Sequence, residues 1–492
     1  MVISPQFNLD PGSDTPLYRQ LADSISSMID RGTIKAGEKL PPTRELAGQL
    51  GLNRTTVSAA YALLESSGLI DGQVGRGSFV AHTIKPDVPA GIDWDSILPP
   101  LEPQAPSAHS IEISFANSRP DSEAFPLTQF RQLSKQVIDS AEAMDILQLG
   151  SPHGYTPLRR YLLEAALKVG TAQAGDDLII TNGCQQALDL LARLFAFHDA
   201  SVAIEDPAYH GLLRVFSRTG AQIVPVPVDD HGIDVDALEE LARQYHPRLL
   251  VVTPSFQNPT GTTLPLERRE RIVELSKRFG FVLVENDIYS ELRYHGKPLP
   301  TLKQLDRSGN TILLRSYSKV SFPGLRVGWV IAPRAVIARL ADAKQIADLH
   351  SDQLAQAVLL RFADSGELAS HLERSRQAGA ERLNAVLNAC ERFLPSGAKF
   401  TRPEGGMNLW IELPAPLTAD TLLSRVQERG VNFLPGRYFS ARRPHVYDLR
   451  ISFGGLPPEQ ITRGIRILGE AARSELAAIG ANARFDPVAA LV

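Results

Sequence analysis

A lysine set between two small hydroxyls, in Ser316-Tyr-Ser318-Lys319, with an arginine seven residues on at Arg326, is a pattern with chemistry in it. A lysine that must bond a carbonyl needs an accessible neutral form, and burial near other cations favours that form. Other segments supply complementary parts. Glu285-Asn-Asp-Ile-Tyr places Asp287 close to Tyr289, Pro254-Ser-Phe-Gln-Asn-Pro-Thr-Gly presents the amide of Asn258, and Asp206-Pro-Ala-Tyr offers the ring of Tyr209. Asn182-Gly-Cys-Gln-Gln opens an apolar helical run, and a glycine-bearing turn at a helix start points backbone N–H groups at a phosphate.

Together these are the parts a pyridoxal phosphate site needs. Lys319 would carry the cofactor aldehyde as a Schiff base. The ring withdraws electrons only while its nitrogen is protonated, so a carboxylate must hold that proton, and Asp287 is the candidate. The phosphate needs N–H groups, hydroxyls and a guanidinium, supplied by Gly183, Cys184, Gln185, Ser316 and Arg326, with Ser318 beside them. Tyr209 can cover the ring face, and Asn258 and Tyr289 can bond the ring hydroxyl. Each residue alone has a plainer role as a solvated charge, a cap, a core ring or a turn. The weight lies in their joint occurrence.

They also fall at corresponding places. Leu178-Ile-Ile-Thr, Ser201-Val-Ala-Ile, Leu249-Leu-Val-Val, Phe281-Val-Leu-Val and Thr311-Ile-Leu-Leu are short apolar runs separated by helix-length segments. Strands without polar alternation are buried on both faces, so these runs predict a mostly parallel sheet in an α/β domain. Ligands gather beyond the carboxyl ends of such strands, and each candidate follows a run there.

The first 80 residues read differently. Leu17, Leu21, Ile25, Met28 and Ile29 recur at helical spacing after Pro16. Thr43 is placed to cap a short helix that Gly51 stops, and Asn53 to cap a third helix that ends before Gly68. Val57, Ala60, Tyr61 and Leu64 then bury one face and leave Arg54, Thr55, Ser58 and Ala59 outward. Leu69-Ile70 and Phe79-Val80 flank Gly75-Arg-Gly as two strands flank a hairpin tip, so the unit reads as a winged helix-turn-helix. Residues 31–80 hold six Lys or Arg against four Asp or Glu. Placement matters more than this balance. Arg44, Arg54 and Arg76 open the second helix, open the third and tip the wing, where a docked unit meets phosphates and bases. Pro86, Pro89, Pro99, Pro100, Pro103 and Pro106 make 82–110 a semi-rigid linker.

Composition fits two folded parts. Of 492 residues, 43% are hydrophobic and 22% charged, which excludes a disordered chain, and the formal net charge of −4 excludes a global attraction to nucleic acid. No run approaches a membrane span or a secretion signal, so a cytoplasmic protein is expected. Cys184 and Cys390 lie too far apart for a disulfide framework or zinc site and are expected as free thiols.

Two resemblances sharpen this. Lys39-Leu-Pro-Pro-Thr-Arg-Glu-Leu-Ala, Leu52-Asn-Arg-Thr-Thr-Val and Gly75-Arg-Gly-Ser-Phe-Val resemble the DNA-binding domain of the GntR family of bacterial regulators. That resemblance implies operator contacts by Arg44, Arg54, Thr55, Thr56 and Gly77, beside Arg76 at the wing. Gly154-Tyr-Thr-Pro-Leu-Arg, Asn258-Pro-Thr-Gly, Asp287-Ile-Tyr, Ser316-Tyr-Ser-Lys-Val, Gly324-Leu-Arg-Val-Gly and Leu449-Arg-Ile-Ser-Phe resemble fold-type I, class I aminotransferases. This implies large and small domains, a site at a homodimer interface, and Arg450 gripping an α-carboxylate. Pro120-Asp and Phe125-Pro resemble the segment near the substrate mouth. Many members of that family carry a tyrosine that reaches across the dimer to the phosphate, where this chain has Leu149.

The fusion order resembles the MocR subfamily of GntR-type regulators. The expected layout is a winged helix-turn-helix over 12–81, the linker 82–110, an aminotransferase-like domain over 111–475 and an unassigned tail over 476–492. The resemblance implies a pyridoxal-phosphate-carrying regulator of operator DNA that senses an amino compound, or the cofactor itself. A working aminotransferase with an accessory DNA-binding part stands as the alternative.

Overall fold

The computed structural model describes residues 7, 9–10, 15–73, 77–81, 94–98, 111–442 and 444–484. The chain divides into two compact units, 1–105 and 106–492.

In the first unit, helices Leu17–Asp30, Thr43–Leu50 and Arg54–Ser66 precede a hairpin of Ile70–Gln73 and Gly77–Val80. The hairpin is antiparallel, with Ile70 opposite Val80 and Gln73 opposite Gly77, and a bridge from Lys39 to Phe79 adds a third segment. Val57, Ala60, Tyr61 and Leu64 are buried against Leu21, Ile25 and Leu46, so the third helix turns the expected face inward. A fully buried Leu or Val contributes about 1.5–3 kcal/mol, and these side chains hold the unit together. Gly51 ends the second helix in the left-handed conformation at φ 64°, and Asn53 Oδ1 accepts the Thr55 N–H at 3.1 Å. Thr43 does not cap. It is the first helical residue, and Pro42 takes the cap position without a side-chain hydrogen bond. The linker expected over 82–110 lies outside the described residues apart from 94–98, where Trp94–Ile97 is one helical turn.

The second unit is built on an eight-stranded sheet. Its order is Asp176–Asn182, Val327–Pro333, Thr311–Ser316, Val282–Asn286, Leu249–Val252, Ser201–Asp206, Gln222–Asp229 and Gly232–Ile233. All five apolar runs are strands. The pairings from Thr311–Ser316 through Gln222–Asp229 are parallel, whereas Val327–Pro333 is antiparallel to both neighbours. The apolar runs do not reveal three strands, Gln222–Asp229, Gly232–Ile233 and Val327–Pro333. Pro225 and Pro227 interrupt the first, which is tolerated near a sheet edge where a missing donor costs little. Both faces of the sheet are covered, with Leu188, Leu191, Phe216 and Leu340 on one cluster and Leu238, Ile272, Leu275 and Leu302 on another.

A second, antiparallel sheet runs Lys399–Phe400, Asn408–Glu412, Asp448–Ser452, Leu434–Pro435. It packs into one core with the helices Glu367–Phe393 and Pro458–Arg484. Ile113–Ser114 pairs with Val431–Asn432, which carries the following segment 115–121 back toward the large sheet. The final helix runs past residue 475, so the tail expected from 476 begins as its continuation, and 485–492 lie outside the described residues. Among the described residues no helix is long and apolar enough to cross a membrane, and no His, Cys, Asp or Glu group is arranged to hold a metal ion. Both cysteines are free.

Candidate functional site

Beyond the carboxyl ends of the large sheet lies a cavity of about 1120 Å³, to whose wall the smaller sheet contributes Leu434 and Arg450. Of the candidate residues for the cofactor and its ligand, Cys184, Gln185, Tyr209, Asn258, Tyr289, Ser316, Ser318, Lys319, Arg326 and Arg450 all line it. Gly183 and Asp287 do not, although both adjoin residues that do.

At one end of the cavity, strand Asp176–Asn182 passes directly into helix Gly183–Phe195. Gly183 adopts φ +74°, and a Cβ there would collide with the Arg326 guanidinium, so both conformation and space demand glycine. Arg326 itself sits at φ 53° after the turn Pro323–Leu325, and its Nη2 donates to the Asn182 carbonyl at 3.3 Å. The guanidinium is therefore held over the helix start, where the first N–H groups have no helical partner. Ser316 Oγ lies 2.8 Å from Ser318 Oγ and donates to the Val327 carbonyl at 2.9 Å. Cys184 is a neutral thiol. Burial pushes it up to about 12, and Sγ donates to the Arg315 carbonyl at 3.3 Å, so only its backbone N–H is left to meet an anion.

Lys319 stands in the middle. Its Nζ donates to the Ser118 carbonyl and lies 5.8 Å from the centre of the Tyr289 ring. Tyr289 is buried, with Oη 3.3 Å from Ser118 Oγ. Burial works to raise this phenol, but Lys319, Ser118 and Arg450 together override it and hold its pKa below the usual tyrosine range. Tyr209 faces the same space, and there burial, reinforced by Tyr289, raises the phenol.

At the far end, strand Asp448–Ser452 brings in Arg450, only 3% exposed. Its Nη1 is 3.4 Å from Asn258 Oδ1 and its Nη2 donates to the Ala116 carbonyl, whereas Nε is buried without a partner. Burial pushes this guanidinium down to about 10. Among the described residues Nε finds no acceptor, so the hydrogen-bonding capacity of this guanidinium is not filled by the chain itself. The lining as a whole is cationic: Arg119, Arg214, Arg218, Lys319, Arg326 and Arg450 face Asp189 alone, which pairs with Arg193 at 2.8 Å. An anionic ligand suits this balance.

Asp287 has a partner of its own within the chain. Its carboxylate turns to the guanidinium of Arg315, at 2.9 Å from Nε and 2.7 Å from Nη2. Arg315 and Ser118 were not among the candidates. A signal for Arg315 did exist, because an arginine inside an apolar strand of a parallel sheet must find a partner for its charge. Nothing local pointed to Ser118, whose carbonyl contributes by position alone.

In the first unit, Arg44, Arg54 and Thr55 are exposed and Thr56 half-buried, and neither arginine has an ion pair among the described residues. Gly77 is exposed at φ 107°, beside the Lys39 side chain. Arg76 lies outside the described residues.

The donor set suits pyridoxal phosphate: helix-start N–H groups under the Arg326 guanidinium, the Lys319 amine, the Tyr289 phenol and Asn258 amide, and a second guanidinium at Arg450 belong to one cavity. Known proteins agree on both units. Residues 17–80 match the family of bacterial regulatory proteins of the gntR type, and residues 112–468 match aminotransferase class I and II. Over 474 residues the chain is 31% identical to the probable rhizopine catabolism regulatory protein MocR of Rhizobium meliloti, covering 94% of this chain and 95% of that one. Kynurenine aminotransferase of Pyrococcus horikoshii, solved in complex with PMP, superposes with a TM-score of 0.74 at 34% identity, covering 78% of this chain and 98% of that one. The alpha-aminoadipate aminotransferase LysN of Thermus thermophilus, complexed with N-(5'-phosphopyridoxyl)-L-leucine, gives 0.71 at 36% identity, with 76% and 96% covered.

Proposed function

Because the chain belongs to the MocR-type GntR regulators, a GntR helix-turn-helix fused to a pyridoxal-phosphate-dependent class I and II aminotransferase domain, we propose that its cavity senses an amino compound and changes how the protein holds operator DNA. The observation that carries this reading is one cavity gathering Lys319, Tyr289, Arg326 and Arg450 in a chain that also presents Arg44 and Arg54 on helix starts.

The cavity lining supports the following roles. The N–H groups of Gly183, Cys184 and Gln185, with Ser316, Ser318 and Arg326, would hold the phosphate. Lys319 would carry the cofactor covalently, Tyr209 would cover its ring, Asn258 and Tyr289 would bond the ring hydroxyl, and Asp287 would serve the ring nitrogen. When bound, the group supplies an aldehyde that captures amines and a ring that withdraws electrons from a captured amine. Arg450 then selects amines with a carboxylate, since its fork matches that group's geometry. Tyr289, its phenol held below the usual tyrosine range by Lys319, Ser118 and Arg450, would stand beside the amine of Lys319 when the cofactor is bound.

Domains over 12–81 and 111–475, joined by 82–110, would work as a homodimer. Met144, Leu147 and Leu149, with Ile346 and Leu349, are large apolar residues left exposed, Leu149 at 76% and Ile346 at 81%. Apolar exposure of this kind supports a subunit interface. Gln353 of the same region donates to the carbonyls of Ile146 and Gln148, so the two stretches adjoin. On DNA, Arg44, Arg54, Thr55, Thr56, Arg76 and Gly77 form the contact set. An effector acts only if it binds one dimer arrangement better than the other.

Aminotransferase activity is the weaker reading, favoured by Lys319 and Arg450 sharing one cavity. Borohydride reduction followed by peptide mapping tests the site, and the label is expected on Lys319 in wild type and nowhere in Lys319→Ala. A label elsewhere refutes the assignment. Turnover with amino donors and keto acids at rates typical of dedicated transaminases would reverse the ranking of regulator over enzyme.

A further inference from the structure

The acid assigned to the ring nitrogen does not stand alone. Asp287 follows strand Val282–Asn286, and its side chain is 2% exposed. Both hydrogen bonds from Arg315 fall on Oδ2, leaving Oδ1 outside the pair. The pairing is built into the sheet. Val282–Asn286 and Thr311–Ser316 are adjacent parallel strands with Asn286 opposite Leu314, and the Asp287 N–H donates to the Leu314 carbonyl at 2.9 Å. Arg315, the next residue, is thereby set alongside Asp287. Its own carbonyl accepts the Cys184 thiol, which lines the cavity, so the pair lies directly behind the cavity wall.

Other charges surround it. Glu285 lies in strand Val282–Asn286 two residues before Asp287, pushed up to about 7 by burial and by Asp287, and it accepts the N–H groups of Leu302 and Lys303 at 2.8 and 2.9 Å. Glu291 acts on Arg315, Arg269 feels Asp287 from its own helix, and Lys319 and Arg326 act on Cys184 from the cavity side. Burial works against the Arg315 charge, but Asp287, Glu291 and Glu285 overcome it, so the guanidinium stays ionised.

We propose that Arg315 is a positioning residue that weakens the proton-holding power of Asp287: it locks the carboxylate through Oδ2 and draws on its charge, so a bound cofactor's ring nitrogen is less firmly protonated than beside an unshared aspartate. A carboxylate raises a neighbouring base's affinity for a proton, and a cation beyond that carboxylate offsets part of the effect. Capturing an amine needs Lys319 and the aldehyde, whereas removing the amine's α-proton needs the electron-withdrawing ring. Arg315 therefore favours capture over turnover, which suits a sensor. This rests on the reading that the cavity carries pyridoxal phosphate.

The test uses full-length holo-protein loaded with pyridoxal phosphate carrying ¹⁵N in its ring, with the ring-nitrogen chemical shift followed against pH. Arg315→Gln should raise the titration midpoint by about one unit, the lower end of the effect of a charge at 4–6 Å, and Arg315→Lys, which keeps the charge, should stay near wild type. Equal midpoints in wild type and Arg315→Gln overturn the proposal, as do equal shifts in both variants. If the glutamine variant does not fold, wild type decides alone: a ring nitrogen protonated up to the alkaline limit of stability overturns the proposal, and one that titrates below that limit supports it. Failure of the underlying reading looks different, since wild type would then take no label at Lys319 on borohydride reduction.

Discussion

Replacing Arg450 by methionine is the sharpest test of what the cavity selects. Methionine keeps much of the length and removes the charge and every donor. Arg450 is 3% exposed; Nη2 donates to the Ala116 carbonyl, Nη1 makes a long bond of 3.4 Å to Asn258, and Nε has no partner among the described residues, so three of its five N–H groups are uncommitted there. A carboxylate seated there gains two charge-assisted hydrogen bonds of about 1.5–3 kcal/mol each. Loss of both is about 3–6 kcal/mol, and because the variant no longer buries an unpaired donor the lower half of that range applies. At about 1.4 kcal/mol per factor of ten, the affinity for an amino acid should fall by roughly 100-fold to 1000-fold. The assay is a titration of the yellow holo-protein with an amino acid and, separately, with the amine obtained from it by decarboxylation, reading the absorbance change. The amine should bind wild type and variant within about threefold, because nothing it carries meets Arg450. Equal weakening of both ligands would mean that the substitution damages the cavity generally, and unchanged binding of the amino acid would mean that its carboxylate sits elsewhere. Either result refutes the reasoning.

Three further outcomes are expected. Arg54→Ala should weaken operator binding and lower the slope of log affinity against log salt by about one if Arg54 meets a phosphate, as read by fluorescence anisotropy across a salt series. Gly183→Ala should speed loss of the cofactor on dialysis without unfolding the chain, since the new methyl both strains a φ of +74° and pushes Arg326 off the helix start. Glu205 is buried and pushed up to about 8, with Oε1 unpartnered. A raised folded-state pKa means its contribution is fully present below the ordinary carboxylate range and is lost as pH rises toward 8, by up to about 1.4 kcal/mol per unit. Glu205→Gln should therefore gain on wild type from about pH 5 to 8 and run parallel above that, in chemical denaturation at each pH.

The chain's local patterns were informative wherever one residue's neighbours decide its state. Uninterrupted apolar runs read as strands because a strand covered on both faces has no reason to alternate, and all five runs are strands. Asn53 was legible as a cap because its side chain satisfies the Thr55 N–H two residues on, a purely local exchange. Thr43 looked equally suitable and is not a cap, because Pro42 at φ −56° already occupies the turn before the helix. Gln222–Asp229 is not legible in the sequence, because two prolines contradict strand propensity and only pairing with Ser201–Asp206 overrides them.

Most of the residues proposed for the cofactor share one cavity because each follows a strand, and a parallel sheet delivers its carboxyl ends to one edge. What the order could not contain is which groups meet across that edge. Periodicity and residue chemistry are enough to reveal the two-part architecture and to point to Lys319 and to the arginines available to anions. Only the tertiary structure decided that the Ser118 carbonyl takes the Lys319 amine, that Arg450 keeps a buried donor free, and that Arg315 claims the carboxylate of Asp287. Those contacts join residues 192, 201 or 28 positions apart, and no local rule relates chain segments that meet only when sheet register and the packing of the smaller sheet set them side by side.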